Sequence, residues 1–427
     1  MDKSQNRYSK FLDSYTRSNY RIVGNHKHSA LKPCHWMIQK LLSGGRRNCY
    51  KGYFGIESEK CIQCTPSLPY CTHNCVFCWR DLEHGNMGAT FKIEPDEPEE
   101  LIKGFIKHQR NIVTHHIKLQ NALDNYEIMR KMLSILLHEK DGANMSMFQK
   151  QISYSKNKLG QALLMLKNLK LARTVDLITY YISDELSGSQ LDPELILKER
   201  VTTPEKIKKT FQDALEPSHA AISLAGEPTL YPGISELIAG FRKHKFSTFI
   251  VSNGTTPEVL ESMDSLPTQL YITLPPPDEQ LYKKIHRPSI RGTYDRIQKS
   301  LNLLPSLSCR KILRITHVKT LNDHLSGIPL KAWVKMIDTA NPDFLDIKGF
   351  AVEARALLLK KRMGLGGDGR NIGESASFAP EFDDVLEFAT LLSEEGNYPI
   401  IETVEASRDV LLRVNWPEQK SIKITNL

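Results

Sequence analysis

From about residue 203 to the C-terminus, short apolar runs of β character alternate with amphipathic stretches of helical period. The predicted strands are Ala220–Leu224, Thr248–Ser252, Gln269–Leu274, Lys311–Val318 and Phe344–Lys348. The predicted helices between them are Pro204–Leu215, Ile234–His244, Pro257–Met263, Thr293–Leu304 and Leu330–Thr339. Strands separated by helices pair in parallel through right-handed crossovers. The pattern predicts an α/β fold of repeated β/α units, with chemistry at the carboxyl ends of the strands.

Those strand ends are rich in glycine, proline and polar residues, which suit tight turns that face a ligand. Gly226-Glu227-Pro228 follows the first predicted strand, and Asn253 follows the second. Thr273 lies near the end of the third, just before a run of three prolines. A Gly-Glu-Pro turn is a weak indication by itself, because such turns are common.

Residues 113–202 interrupt the alternation. The predicted elements there are three helices and two short strands: Asn125–Glu139, Met145–Ile152, Lys156–Leu169, Leu171–Val175 and Leu177–Ile182. Three helices followed by a hairpin resemble a winged helix. Six basic residues and no acidic residue lie from Lys150 to Arg173, which suits a nucleic-acid-binding face. A packing or protein-contact module explains the insert equally well.

The chain has 427 residues, enough for two or three domains, and its ordinary hydrophobic content excludes a disordered or fibrous protein. No apolar run approaches the ~18 residues of a membrane-spanning helix, and no secretory signal follows the polar N-terminus. We therefore expect a cytoplasmic protein without a membrane partner. Residues 1–60 show no long helical period and are predicted to be irregular. Residues 1–93 carry an excess of eight positive charges, equal to the net charge of +8, which favours a polyanion partner.

Seven of the eight cysteines lie within 45 positions, from Cys34 to Cys78, and only Cys309 lies outside. In a reducing compartment so dense a group indicates metal or cluster ligation in preference to a disulfide framework. The sharpest motif has three and then two residues between Cys71, Cys75 and Cys78. Three thiolates on one loop can hold three irons of a cubane cluster and leave the fourth iron open. That spacing is the signature of the radical S-adenosylmethionine superfamily.

The Gly226–Pro228 turn is stronger evidence when it follows such a loop. In this superfamily the carbonyls of a Gly-Glu-Pro turn accept hydrogen bonds from the ammonium group of the cofactor. Zinc is the alternative for the cysteines. Cys61 and Cys64 form a Cys-x-x-Cys pair ten residues before that of Cys75 and Cys78, as in a zinc ribbon. The zinc interpretation leaves the first cysteine of the loop unused and does not explain the turns downstream.

Longer stretches resemble the archaeal tRNA 4-demethylwyosine synthase family, the radical enzymes of wybutosine biosynthesis. The stretches are Tyr20–His26, Tyr50–Ile56, Thr65-Pro66, Cys78–Asp81, Gly226–Pro232 and Val404–Arg408. The resemblance covers about residues 1–112 and 203–427. It implies a partial TIM-like (β/α)6 radical-SAM barrel formed by 71–112 and 203–427. An N-terminal segment, 1–70, would carry a second cluster, and the winged-helix-like insert would occupy 113–202.

The resemblance also implies a reaction and its participants. A carbon–carbon lyase of this family combines pyruvate with N1-methylguanosine next to the anticodon of tRNA(Phe) and closes the third ring of 4-demethylwyosine. It uses two 4Fe–4S clusters and S-adenosyl-L-methionine. Since no flavodoxin-like domain precedes the cysteine-rich segment, we expect an external electron-donor protein. We also expect a monomer.

Functional residues follow from the resemblance position by position. The first cluster is assigned to Cys71, Cys75 and Cys78, the second to Cys34, Cys49 and Cys61, and cofactor binding to Gly226, Glu227, Pro228, Asn253 and Thr273. Lys51 matches the lysine proposed to form a Schiff base with pyruvate. A lysine near a positive cluster is expected to have a lowered pKa and so to be nucleophilic. A phosphate-binding or surface lysine is the alternative.

Three features depart from the family pattern. Cys64 stands where the family has another residue type, so it is either a spectator or an alternative ligand. The insert is not part of the family pattern, and residues 350–380 diverge where the family approaches the nucleobase. A radical enzyme acting on another RNA base and a zinc-containing nucleic-acid-binding protein therefore stay open. We expect Arg46 and Arg47, beside the cluster cysteines, to contribute more to tRNA binding than the insert.

Overall fold

A ten-stranded mixed sheet organises the structure, a computed structural model that describes residues 3–43, 48–81, 86–176, 178–187, 192–351, 354–365 and 375–424. The strands are β1 (Arg21–Val23), β2 (Ser29–Leu31), β3 (Cys61–Thr65), β4 (Ala143–Asn144), β5 (Ala172–Thr174), β6 (Thr179–Ile182), β7 (His219–Ile222), β8 (Ser247–Ser252), β9 (Gln269–Thr273), β10 (Arg310–His317), β11 (Phe344–Gly349), β12 (Ile400–Val404) and β13 (Asp409–Arg413).

The α-helices in the described part of the chain cover the outer face of this sheet and build the insert. They are α1 (Lys3–Arg17), α2 (His35–Ser43), α3 (Pro98–Asn111), α4 (Leu119–His138), α5 (Met145–Gln151), α6 (Lys156–Asn168), α7 (Pro193–Arg200), α8 (Pro204–Ala214), α9 (Ile234–Lys243), α10 (Pro257–Glu261), α11 (Glu279–His286), α12 (Thr293–Leu303), α13 (Leu330–Ala340), α14 (Leu359–Arg362) and α15 (Phe382–Gly396). None of these described helices is both long and apolar enough to cross a bilayer.

Six consecutive strands of the large sheet run parallel, in the order β3, β7, β8, β9, β10 and β11. One side chain from each strand packs into a single cluster on one face of the sheet: Cys61, Ala221, Phe249, Tyr271, Ile312 and Phe344. Such a layer, with one residue from every strand, is typical of a barrel interior. The expected (β/α)6 radical-SAM core is confirmed, and the five strands predicted from the alternation are β7 to β11.

The first parallel strand, β3, lies before residue 71, in the segment that the sequence analysis separates from the barrel. It pairs in parallel with β7, with Cys61 beside His219 and Cys64 beside Ile222. Its sequence, Cys-Ile-Gln-Cys-Thr, contains a metal-ligand motif and only one strongly apolar residue, so the alternation of a strand is not visible. The core sheet therefore begins at Cys61.

The prediction of an irregular segment over residues 1–60 is wrong. Helix α1 packs through aromatic side chains: Phe11 and Tyr15 are buried, and Tyr8 stacks on Phe11. These aromatics recur at helical spacing within an otherwise polar stretch, which hides the period. Strands β1 and β2 then extend the sheet antiparallel beyond β3, as β13 and β12 do beyond β11.

The insert has a small antiparallel sheet of its own, with strand order β4-β6-β5, packed on α4, α5 and α6. The three helices and the hairpin of the sequence analysis are present. Strand β4 was not predicted, and α4 begins at Leu119, earlier than the expected Asn125. Helix α4 also packs against α2 and α8 of the barrel's outer layer. The long helix α4 therefore attaches the insert to the barrel.

Candidate active site

The cysteine loop and the Gly-Glu-Pro turn are joined where β3 and β7 end. The Thr65 hydroxyl donates a hydrogen bond to the Ala225 carbonyl (2.5 Å), and the Ser67 hydroxyl donates to the Glu227 carbonyl (2.7 Å). Gly226 has a φ of +75°, and a Cβ at this position would lie 2.0 Å from the Ser67 carbonyl oxygen. Only glycine permits so close an approach of two backbones. The turn therefore lies directly behind the loop that leads to the cysteines.

The Glu227 carboxylate and the Asn253 amide connect neighbouring strand ends to this loop. Buried Glu227 accepts hydrogen bonds from the Thr229 hydroxyl (2.7 Å) and the backbone N–H of Asn253 (2.8 Å), and burial raises its pKa. The Asn253 amide nitrogen donates to the Thr72 hydroxyl (2.8 Å) and lies 3.7 Å from the Cys71 Sγ. The predicted cofactor residues of β7 and β8 thus lie together beside the first cysteine.

Pro228 and Thr273 are the other predicted cofactor residues. Pro228 is buried and opens a short 3-10 helix that continues the turn. Thr273 is the last residue of β9, in register with Arg314 of β10. Because side chains alternate along a strand, Thr273 points to the same face as Tyr271, the barrel interior. It lies one strand further from the cysteine loop than Asn253.

A buried cation accompanies the three cysteines of the loop. Cys71, Cys75 and Cys78 are partly exposed, whereas the side chain of Arg80 is buried. One terminal nitrogen of Arg80 donates to the His73 carbonyl (3.0 Å), but its Nε and other terminal nitrogen have no partner in the described part of the chain. Burial alone would lower the pKa of this guanidinium, and the charges of Cys71 and Cys78 raise it.

Three thiols with two orphaned cationic N–H donors beside them fit an iron–sulfur cubane. Thiolates and sulfides carry negative charge and accept hydrogen bonds, and such donors to sulfur tune a cluster's reduction potential. Burial, and then repulsion from the other two thiols of the loop, raise the pKa of Cys75 well above its ordinary value. Bonding to iron would stabilise the thiolate form that the protein alone disfavours.

Two histidines that the sequence analysis did not single out lie against Cys75. His286 Nδ1 is 3.6 Å from the Cys75 Sγ, and His73 Nε2 pairs with the Tyr282 hydroxyl (2.7 Å). Burial lowers the pKa of His286 to about 3 and that of His73 well below its ordinary value, so both rings are neutral near pH 7. The ligand atoms of both histidines and Cys75 lie within 4.8 Å of one another. His286 is remote in sequence, so only the fold reveals this neighbourhood.

Arg362 fixes the backbone of the cysteine loop from the distant end of the chain. Its guanidinium donates to the carbonyls of Val76 (3.1 Å), Cys78 (2.5 Å) and Arg80 (3.2 Å). It lies at the end of α14, inside the 350–380 region that the resemblance places near the nucleobase. Residues 352–353 and 366–374 of that region lie outside the described part of the chain. No local motif marks Arg362, because its partners are backbone carbonyls nearly three hundred positions away.

Cys34, Cys49 and Cys61 come together around Lys51 near the start of β3. Cys34 immediately precedes α2, Cys49 precedes a short 3-10 helix, and Cys61 begins β3. The charges of the three thiols act on one another and on Lys51. Lys51 is 5% exposed, and its ammonium nitrogen lies 5.1 Å from the ring centre of Phe249. The fold therefore brings together the four residues that the resemblance assigns to the second cluster and to pyruvate.

Lys51 does not have the lowered pKa that the sequence analysis expects. Burial alone would lower the pKa, but the negative charges of Tyr50, Cys61 and Cys49 outweigh burial and raise it. The expectation assumed a positive cluster beside the amine, whereas unbonded thiolates exert the opposite field. Burial also excludes the alternative of a surface lysine that contacts phosphate.

Two ion pairs, one buried and one partly exposed, line the same barrel near the carboxyl ends of its strands. Arg314 pairs with Asp346 of the neighbouring strand, and Lys348 pairs with Asp409 at 2.8 Å. The Arg314 guanidinium also lies 4.8 Å from the ring centre of Tyr271. One carboxylate oxygen of each aspartate is buried without a hydrogen-bond partner among the described residues. These groups, from β10, β11 and β13, form no sequence motif, yet they can orient a small carboxylate or carbonyl ligand.

The alternation of β3 separates Cys61 from Cys64. Cys61 packs in the interior cluster, and Cys64 packs in the core between the sheet and its helices. Cys64 is fully buried, and burial raises its pKa. A zinc ribbon requires both cysteines of each pair on one ion. The zinc interpretation of this pair is therefore wrong, and Cys64 is a core residue.

Comparisons with known proteins agree with this geometry. Residues 188–325 match the family model of the radical SAM superfamily. The chain is 32% identical over 405 residues to the S-adenosyl-L-methionine-dependent tRNA 4-demethylwyosine synthase of Pyrococcus abyssi, covering 93% of this chain and 86% of that protein. The protein of the same name from Methanocaldococcus jannaschii is 29% identical, with 93% of each chain covered. A solved structure of TYW1 with a lysine-pyruvate adduct bound is 25% identical, with a TM-score of 0.63 over 97% of this chain and 98% of that one.

Replacing Gly226 tests the joint between the cysteine loop and the turn. In Gly226→Ala the new Cβ would clash with the Ser67 carbonyl, so the backbone must shift. An alanine in the left-handed conformation costs a further ~1–2 kcal/mol. We expect a loss of roughly 3 kcal/mol or more in the free energy of unfolding, measured with denaturant. Gly292→Ala is the matched control, because Gly292 has a φ of +71° with no atom within 4 Å of its Cβ position. Equal losses in the two variants would contradict the close-approach explanation.

Proposed function

This chain belongs to the family of the S-adenosyl-L-methionine-dependent tRNA 4-demethylwyosine synthases, and we propose that it carries out their reaction. Pyruvate and N1-methylguanosine, next to the anticodon of tRNA(Phe), would give 4-demethylwyosine, the tricyclic precursor of wybutosine. One observation carries the proposal. Lys51 is buried among three cysteines inside the barrel, and the relative of similar fold holds a lysine-pyruvate adduct.

In this proposal the radical chemistry takes place at the carboxyl end of the barrel strands. The three loop cysteines would hold a 4Fe–4S cluster, and its open iron together with the Gly226–Pro228 turn would hold S-adenosyl-L-methionine. Given one electron from an external donor, the bound cluster and cofactor would supply the radical chemistry that removes a hydrogen atom from the N-methyl group of the base. Arg80 balances the charge of the loop sulfurs, and Arg362 holds three carbonyls of the loop in place. Asn253 and Thr273 would contact the cofactor from β8 and β9.

Lys51 would bind pyruvate covalently. Its neutral amine attacks the keto carbon, and the loss of one water molecule gives a Schiff base. The rings of Phe249 and Tyr271, within 6 Å of the ammonium nitrogen, exclude water that would hydrolyse it. Arg314 and Lys348 are the fixed cations of the interior that can orient the pyruvate carboxylate.

Cys34, Cys49 and Cys61 are the proposed ligands of a second 4Fe–4S cluster. Three cysteines leave one iron open, which would bind oxygens of the pyruvate-derived fragment. The proximity of the three thiols to Lys51 supports this arrangement, because cluster and amine can then act on the same small molecule. An external electron-donor protein, a monomeric chain and a cytoplasmic location remain predictions.

A reaction assay separates this function from radical chemistry on another RNA base. Anaerobic protein is incubated with tRNA(Phe) containing N1-methylguanosine, pyruvate, S-adenosyl-L-methionine and dithionite, and the nucleosides are analysed by mass. We expect 4-demethylwyosine only when pyruvate and the methylated tRNA are both present. Cofactor cleavage without a tricyclic product from this tRNA would favour the other-base alternative.

Matched substitutions of the two cysteines of β3 test whether Cys61 is a ligand of the second cluster. Cys61→Val should lose about half of the iron, because it removes one of three ligands of one of two clusters. Cys64→Val should keep all of it, because a core thiol is replaced by an apolar side chain of similar size. The measurement is iron per chain after anaerobic reconstitution, with cofactor cleavage as a check that the first cluster is intact. Full iron content in Cys61→Val would remove Cys61 from the ligand set.

Borohydride trapping tests the Schiff base. Lys51→Ala should fail to retain label from radioactive pyruvate after borohydride reduction, while its cleavage of S-adenosyl-L-methionine continues. Lys60→Gln is the control, since Lys60 directly precedes Cys61 but its ammonium is paired with Glu57 at 2.6 Å. The control should trap label as the unaltered protein does. Equal trapping in Lys51→Ala would assign the adduct to another amine.

A further inference from the structure

The insert presents a surface that the proposed chemistry does not use. Its elements follow one another as helix α4, strand β4, helices α5 and α6, and strands β5 and β6, with β6 in the centre of the sheet. Helices α5 and α6 are joined by the four residues Ile152–Ser155, the length of a helix-turn-helix connection. In that motif the second helix carries the nucleic-acid contacts. Here the second helix is α6, and the β5–β6 hairpin follows it.

Helix α6 has one buried and one fully exposed face. The buried face packs on the insert's core: Leu159, Ala162, Leu163 and Leu166. The opposite face is an exposed stripe at helical spacing: Asn157, Gln161, Leu164 and Asn168. Three of these four side chains are amides, which can donate and accept hydrogen bonds. We call this stripe, with the lysines beside it, the α6 face.

Exposed lysines surround the α6 face. Lys150 lies on α5, Lys156 and Lys167 lie at the two ends of α6, and Lys170 follows it, all exposed and none in an ion pair within the described ranges. Lys158 is different, because its ammonium pairs with Asp124 of α4. Lys156 and Lys167 are separated by about 16 Å along the helix axis. Cations so spaced match several phosphates of a nucleic-acid strand.

Gly160 lies in the middle of α6, beside the exposed stripe. A Cβ at Gly160 would meet no atom within 4 Å, and its backbone conformation is helical. No internal contact therefore requires glycine, which costs the helix about 1 kcal/mol relative to alanine. A missing side chain at this position lets the backbone of a partner approach the helix closely.

The α6 face lies far from the cysteines. Helix α6 packs on α4, and α4 packs on α2 and α8 outside the barrel. With about 8–10 Å between the axes of packed helices, α6 lies roughly 16–20 Å beyond the layer of α2 and α8. A partner on the α6 face is therefore contacted at a distance from the base that reacts.

We propose that the α6 face and the β5–β6 hairpin bind the sugar–phosphate backbone of the tRNA substrate in a helical stem outside the anticodon arm. The proposal rests on the proposed function for the identity of the RNA. Because the major groove of an RNA helix is too narrow for side chains, the contacts are to phosphates and 2′-hydroxyls. The lysines neutralise phosphates, the amides of the stripe reach hydroxyls, and Gly160 allows the close approach.

A protein partner is the competing occupant, because Leu164, Val175 and Ile178 are 57%, 73% and 70% exposed. The lysines favour RNA, since lysine is depleted from the cores of protein interfaces. Val175 and Ile178 lie in the turn of the hairpin, where apolar side chains can pack on the ribose carbons of the RNA backbone.

Paired charge variants test the proposal. The insert variant replaces Lys150, Lys156 and Lys167 by Gln. The control variant replaces three exposed lysines of the barrel helices by Gln: Lys243, Lys331 and Lys335. We expect the insert variant to bind full-length tRNA at least about tenfold more weakly near 0.1 M salt. The slope of log K against log salt should fall by about 2–3, at roughly 0.9 per lost phosphate contact. The control variant should change neither quantity.

Fragments and kinetics distinguish this proposal from the proposed function. Binding of the isolated anticodon stem-loop should be equal in the insert variant and the unaltered protein. The KM for full-length tRNA should rise with kcat unchanged. Binding is measured with tRNA alone, so it stays decisive even if no tricyclic product forms. An unchanged salt slope in the insert variant, an equal change in the control, or an equal loss for the stem-loop would overturn the proposal.

Gly160→Gln should affect the stability of the protein and its affinity for tRNA differently. Glutamine favours the helix over glycine, so the thermal midpoint of the protein should not fall. The affinity for full-length tRNA should nevertheless fall several-fold, because the side chain occupies the space of the approaching backbone. A variant with unchanged tRNA affinity would remove Gly160 from the contact and leave only the lysines to be tested.

Discussion

The need to balance negative charge on cysteine sulfur governs both halves of this site. Each cysteine triad has a buried cation close by in the sequence, which follows a cysteine of the triad by two positions: Arg80 after Cys78 and Lys51 after Cys49. Thiolates in a low-dielectric interior are costly unless a cation or a metal compensates them. The two cations differ in chemistry. Arg80 stays protonated at any accessible pH and serves as a fixed charge, whereas Lys51 can lose its proton and act as an amine.

Strand β3 sets the geometry between the two triads. Cys61 is its first residue, and the loop to Cys71 leaves from its last residue, Thr65. Five residues of strand span about 16 Å, so the triads belong to opposite ends of one short rigid element. Alternation along the strand also decides which cysteines can act, because it directs Cys61 into the barrel and Cys64 into the outer core. A change in the length of β3 would therefore alter both the separation and the orientation of the two sites.

The sequence predicts what is local and misses what the fold assembles from distant parts. The strands β7 to β11 carry their apolar alternation in consecutive residues, and the loop cysteines and the turn at Gly226 carry their spacing in short motifs. Arg362 and His286 contact the cysteine loop from more than two hundred positions away in the sequence, so no local pattern could indicate them. The upward shift of the Lys51 pKa was also not predicted. It depends on the charges of Tyr50, Cys61 and Cys49, which only the packing brings close to the amine.

The place of the insert explains how the fold accommodates it. A crossover between two parallel strands lies in the outer helical layer and needs only to return the chain to the neighbouring strand. The connection from β3 to β7 contains the cysteine loop and α3, and then the insert enters before α8 completes the crossover. Its attachment helix α4 packs on α2 and α8 in that outer layer. Insertion at this point adds a surface and leaves in place the carboxyl ends of β3 and β7, which are in close contact at Gly226.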